Sequence, residues 1–201
     1  MLAAILLLIP LALPPIVDVP QPTRDCWLEV VTAETIEERT IADFQAQLDA
    51  YVALQRRLAR SLGPATMFGD DEGDMWGGQL RAALVAARPL ARQGEFFTPS
   101  MAGVVTGRVD RALLRGIAAI PVRLYEPLPG ESPPAVNAAF PFVGVSVEWP
   151  ALFRELPALP PELGYALWGR DLVLVDVDAN LVLDVLPEAL PEGARPGVQF
   201  Q

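Results

Sequence analysis

The chain reads as an α+β fold, with about three helices first and a small antiparallel β-hairpin or three-stranded sheet last. Three observations predict it. Apolar residues recur every three or four positions from Ile41 to Leu62, two short alternating apolar runs close the chain, and ten of its 21 prolines crowd between Pro121 and Pro161. That proline-rich stretch admits neither a long helix nor a central strand, because each proline removes a backbone donor and fixes φ. It connects the helical half to the sheet. With 201 residues, 52% of them hydrophobic and 20% charged, the chain can bury a sizeable core.

Residues 1–17 resemble a signal peptide. Residues 2–17 carry no charged side chain, and the run LAAILLLIPLAL has the length of an apolar export segment. A bilayer-spanning helix needs about 20 apolar residues and tolerates prolines such as Pro10, Pro14 and Pro15 poorly. Residues 18–39 read as an extended linker, with mixed strand and helix character around Trp27, and residues 40–201 as one domain.

The first helix is expected to begin at Thr40, with Asp43 in its first turn. Ile41, Phe44, Leu48, Tyr51, Val52, Leu58 and Leu62 form its apolar stripe, and Gln55 fills the one gap. Arg56, Arg57 and Arg60 suit the negative end of the dipole, and Gly63-Pro64 ends the run. The segment GDDEGD at 69–74 reads as a polar loop, followed by a second helix from Trp76 to about Arg92 that Pro89 bends or ends. A third starts at Thr98-Pro99, an N-cap with proline in the first turn, and carries Met101, Val104, Val105, Val109 and Leu113. Its Gly103 and Gly107 each cost about 1 kcal/mol against alanine, which close packing on a neighbouring helix would offset.

At the C-terminal end, residues 172–177 and 181–186 alternate around the turn Asp178-Ala179-Asn180, with Asp176, Asp178 and Asp184 on the polar register. One face of the hairpin is then buried, and residues 165–168 can add a third strand.

Histidine is absent, which removes the Ser-His-Asp triad, the Cys-His dyad, His-ligated zinc and a switch near pH 6.5. Cys26 is the single cysteine, so no intrachain disulfide can form. All 15 basic residues are arginine, a compositional bias shared with the abundant Ala, Pro and Gly. No G-x-S-x-G elbow is present, and nothing selects two of the 25 acids as a catalytic pair.

Charge is segregated along the chain. Residues 18–80 carry 12 acids and 5 arginines, residues 81–125 carry 2 acids and 7 arginines, and residues 126–201 carry 11 acids and 3 arginines. Within the basic block, Arg81, Arg88 and Arg92 are spaced to share one helix face, and Arg108, Arg111 and Arg115 another. If the faces adjoin they can hold an anion; otherwise they are solvated or complement the acidic blocks. A net charge of −10 argues against nucleic acid. Two acidic runs bear on metal binding. Asp176-Val-Asp178-Ala-Asn180 has Leu181 and Pro187 where a calcium loop needs glycine and glutamate, which leaves it a turn. Asp70, Asp71, Glu72 and Asp74 can bind calcium weakly if their loop folds around the ion, but they better suit an exposed loop that caps the next helix at Asp74.

Residues 155–187 resemble the C-terminal hairpin of small exported bacterial proteins of the RcnB and CigR type. The places that match are Pro160-Pro161, Tyr165, Gly169-Arg170-Asp171, the run 172–176 and the run 182–185. The resemblance implies an extracytoplasmic location and this hairpin. Members of that type are implicated in nickel and cobalt homeostasis or in virulence, without known catalysis.

These features point to a non-catalytic periplasmic or secreted binding protein that needs no cofactor. Its partner would be an anionic small molecule, an envelope component or a protein, with membrane contact only through an uncleaved N-terminal segment. A small carboxylate-dependent hydrolase of a cell-envelope substrate is the alternative. An assembly factor docking through a sheet edge or apolar patch is a third.

Overall fold

The computed structural model describes residues 24–63, 70–115, 132, 134–141 and 151–191. The expected export segment, Pro64 and most of the proline-rich connection lie outside them. Three helices, α1 (Arg24–Leu62), α2 (Asp70–Ala87) and α3 (Pro99–Leu114), precede a short 3-10 helix (Ala151–Arg154). Three strands follow, β1 (Leu163–Trp168), β2 (Asp171–Asp176) and β3 (Leu181–Leu186). The sheet is an antiparallel meander in the order β1-β2-β3. The α+β reading therefore holds, helices first and sheet last.

Two helix starts differ from the sequence reading. α1 begins at Arg24, so residues 24–39 are helical rather than an extended linker. No glycine or proline interrupts that stretch, which contains Ala33 and four glutamates, and nothing there stops a helix. Thr40 lies inside α1, its hydroxyl donating to the Ile36 carbonyl at 2.9 Å. α2 begins at Asp70, taking in most of the expected acidic loop. Acids in a first turn complement the positive end of the dipole. α2 then stops at Ala87, two residues before Pro89, as the steric demand of proline on its predecessor requires. α3 begins where expected, with the Thr98 hydroxyl accepting from the Met101 N–H at 3.3 Å.

The stripe on α1 buries Phe44, Leu48, Tyr51 and Val52 against Leu80 and Leu84 of α2, Met101, Val105 and Val109 of α3, and the helix-facing side of the sheet. Each such side chain contributes about 1.5–3 kcal/mol on leaving water. The expected glycine packing is found elsewhere. Gly103 faces open space and Gly107 meets only the Arg111 side chain, whereas a Cβ on Gly77 would lie 2.9 Å from the Asp178 carbonyl oxygen. α2 thus approaches the β2–β3 turn through a position that admits no side chain.

Gly169, at φ +57°, opens the two-residue turn between β1 and β2. The β2–β3 turn, residues 177–180, ends at Asn180 with φ +46°, and the Asp176 carboxylate accepts the Ala179 N–H at 2.8 Å. Leu174 pairs with Asp184 and Val175 with Val182, so Leu183 is an extra residue on β3. This β-bulge changes which way β3 points. Leu181 and Leu183 face the helices and Val182 faces away; the inserted residue returns Asp184 to the helix side. Val173, Val175, Val182 and Val185 form a second buried cluster on the opposite face with Phe140 and Trp168. Both faces of the sheet are therefore buried. The expected exposed register fails for Asp176 and Asp184, each 0% exposed, and only Asp178 of the three reaches solvent.

Candidate functional site

A polar seam runs between the helices and the sheet. Asp184, aimed inward by the bulge, accepts the backbone N–H groups of Gly94, Phe96 and Phe97, each at 2.8 Å. It thereby ties residues 94–97 of the α2–α3 connection to the sheet. The Tyr51 hydroxyl donates to Asp176 at 2.7 Å, and the Gln55 amide donates to Asp178 at 3.1 Å. Gln55, the polar gap in the α1 stripe, is thus a contact to the β2–β3 turn. Burial raises the Asp176 carboxyl above its ordinary range against the lowering effect of its hydrogen bonds from Ala179 and Tyr51. The Tyr51 hydroxyl is raised chiefly by burial and then by the charge of Asp176. Asp176 and Tyr51 are enclosed, and Asp178 is the member of the seam that reaches solvent.

The six arginines divide into separate settings. α2 ends before Arg88, so Arg81, Arg88 and Arg92 do not form the expected helix face. Arg81 donates to the carbonyls of Ala179 and Asn180 at 3.2 and 3.3 Å. The Arg88 guanidinium lies 5.1 Å from the Tyr51 ring centre and 5.5 Å from that of Phe96, and pairs with Glu95 at 3.0 Å. Arg92 is exposed beside it, in a cleft of about 600 Å³ lined by residues 87–92 and Glu95. Arg108 and Arg111 share Glu37 of α1 at 2.9 and 3.5 Å, and Arg115 reaches Glu155 at 3.2 Å. Arg108 also donates to the Glu155 carbonyl at 3.1 Å. Arg108, Arg111 and Arg115 thus complement acids of the flanking blocks, whereas Arg88 pairs with an acid of its own block.

The second concave surface was not legible as a site in the sequence. A groove of about 250 Å³ runs between the 3-10 helix with its following segment and the first half of β1, lined by Phe153, Arg154, Pro157, Leu159, Leu163 and Tyr165. The Tyr165 hydroxyl donates to the Pro157 carbonyl at 3.1 Å, so burial, which raises this phenol, and a hydrogen bond fix one wall to the other. Among the described residues no carboxylate lines the groove, and Glu95 is the one carboxylate lining the larger cleft.

Beside the groove lies the outer edge of β1, which no strand among the described residues covers. The residues flanking a two-residue hairpin turn exchange both ladder bonds, here Trp168 and Asp171. Alternation assigns Ala166 and Gly164 to the same inward set, and the bond from the Val177 N–H to the Glu162 carbonyl at 2.9 Å continues it. The N–H and C=O groups of Tyr165 and Leu167 consequently point away from β2. No backbone group among the described residues pairs with them there. On the other edge, β3 is partly covered by residues 137–139, with the Val182 N–H donating to the Ala138 carbonyl at 2.9 Å.

Among the described residues no group of three or more acids or cysteines is placed to hold a metal ion, and no helix is long and apolar enough to cross a membrane. Comparison with protein-family models, with curated proteins and with solved structures found no match to this chain.

Proposed function

We propose that this chain is a non-catalytic extracytoplasmic binding protein that receives an extended polypeptide segment along the outer edge of β1. The observation that carries the reading is the outer edge of β1, where the backbone groups of the buried residues Tyr165 and Leu167 point away from β2 and meet no backbone partner among the described residues, beside a groove of about 250 Å³. A strand added there gains main-chain hydrogen bonds from the edge and side-chain selectivity from the groove. Five of the six arginines of the basic block already engage groups of the same chain, which favours the groove over that block as the binding surface. The apolar run at residues 2–13 and the likeness of residues 155–187 to exported proteins of the RcnB and CigR type support the location.

The test is selection of a displayed random decapeptide library on the purified protein, followed by amide exchange of the complexes. Selected peptides are expected to protect the Tyr165 and Leu167 amides. Ala158→Trp, a substitution at an exposed residue of the groove wall, is expected to abolish binding without changing the thermal melt. Protection elsewhere, or equal binding to the Ala158→Trp protein, would overturn the reading. Location is tested by sequencing the N-terminus of the protein from fractionated bacterial cells: an intact Met1 in the cytosolic fraction refutes export.

A further inference from the structure

The groove also carries a charge preference, and we infer from it that the segment it receives presents a carboxylate next to an apolar side chain. This inference rests on the docking reading above. Arg154, at the end of the 3-10 helix, is exposed and is the one charged residue lining the groove among the described residues. It has no ion pair or hydrogen bond among the described residues, unlike the acids that flank the groove in sequence. Glu155 is held by Arg115 at 3.2 Å, and Glu162 accepts from Arg56 at 2.6 Å. Those two carboxylates are neutralised within the fold, so the groove is locally positive on a chain whose net charge is −10.

The remaining lining is apolar: Phe153, Pro157, Leu159, Leu163 and Tyr165. A volume of about 250 Å³ accepts one or two aliphatic or aromatic side chains, and the single cation sits on the wall opposite β1. A strand paired with Tyr165 and Leu167 turns alternate side chains to the same side. One would fill the groove, and a neighbouring acid would meet the guanidinium, which accepts a carboxylate in bidentate fashion. A lysine or arginine at that place would be repelled, so the cation also excludes wrong partners.

Peptides selected from the random decapeptide library decide the matter. Enriched sequences are expected to carry Asp or Glu at a fixed offset from a Leu, Ile, Val or Phe. Their affinity is expected to fall about tenfold or more for Arg154→Glu and to be partly kept by Arg154→Lys. Arg154 is exposed and outside the core, and equal melting temperatures for these variants check that the fold is intact. Enriched peptides without the acid, or with unchanged affinity for Arg154→Glu, would overturn the carboxylate inference. If those same peptides lose affinity for Ala158→Trp, the docking reading survives it. Failure to enrich any peptide that is sensitive to Ala158→Trp would overturn both.

Discussion

Asp184 provides the sharpest test of how the helices are held on the sheet. Its carboxylate is 0% exposed and accepts three amides of the α2–α3 connection, from Gly94, Phe96 and Phe97, all at 2.8 Å. Asp184→Ala removes the acceptor of three donors, the buried amides of Phe96 and Phe97 and the part-buried amide of Gly94. Each costs about 1–3 kcal/mol, and relaxation of one amide toward water keeps the total near the lower half, about 3–5 kcal/mol. A domain has only about 5–15 kcal/mol to lose. For a chain of this size the melting temperature should fall by roughly 6–20 °C. Asp184→Asn retains one acceptor oxygen and turns an NH2 group toward the remaining amides, so about 1.5–3 kcal/mol is expected. Urea titrations followed by far-UV circular dichroism give the free energies, and amide exchange localises them. Gly94, Phe96 and Phe97 should exchange faster in both variants. A loss under about 1 kcal/mol for Asp184→Ala, or the same loss for both substitutions, would refute the three-amide account.

Two glycines in helices should respond oppositely to alanine. Gly77→Ala drives a Cβ to 2.9 Å from the Asp178 backbone oxygen and should cost about 1–3 kcal/mol despite better helix propensity. Gly103→Ala, which meets nothing within 4 Å, should gain about 1 kcal/mol, and paired thermal melts check both signs. Asp176 has a carboxyl raised by burial, so the folded chain keeps this proton at pH values where the unfolded chain has lost it. Its contribution to stability is therefore fully present below the ordinary carboxylate pKa of about 3.9 and is lost as pH rises through the raised value. Asp176→Asn removes that slope: urea midpoints should show the variant gaining on the parent between pH 4 and pH 8, and parallel profiles would contradict the burial account. The Glu37 bridges to Arg108 and Arg111 are partly exposed, so Glu37→Gln should cost under about 1 kcal/mol and less still in 1 M salt, as melts with and without salt will show.

How far the fold could be read in advance depended on whether its signals were local. The α3 start was legible because Thr98 and Pro99 act within one turn, and β2 and β3 because their alternation spans adjacent residues. The start of α1 was not, since a helix boundary is read from a breaker and residues 24–39 contain none. The end of α2 followed from Pro89, but its consequence for Arg88 and Arg92 did not: the spacing argument presumed a helix that the proline had already stopped. The groove joins residues 153–159 to 163–165 through a fold-dependent turn, and no spacing rule marks it.

The bulge is the more instructive case. Strict period two along LVLDVL assigns Asp184 to the face of Val182, and no glycine or proline marks Leu183 as extra. The signal that could have revealed it lies in composition. β2 and β3 are apolar at both parities, which is the pattern of strands buried on both sides. An aspartate inside such a strand has no solvent to face. It must find donors within the protein, and the nearest unsatisfied donors are the amides of an irregular connection. The inward Asp184 and the amides it holds are thus two consequences of one constraint, that buried polar groups be paired. Applied to the described residues, the same constraint singles out the backbone groups of Tyr165 and Leu167, which point away from β2 and meet no backbone partner there.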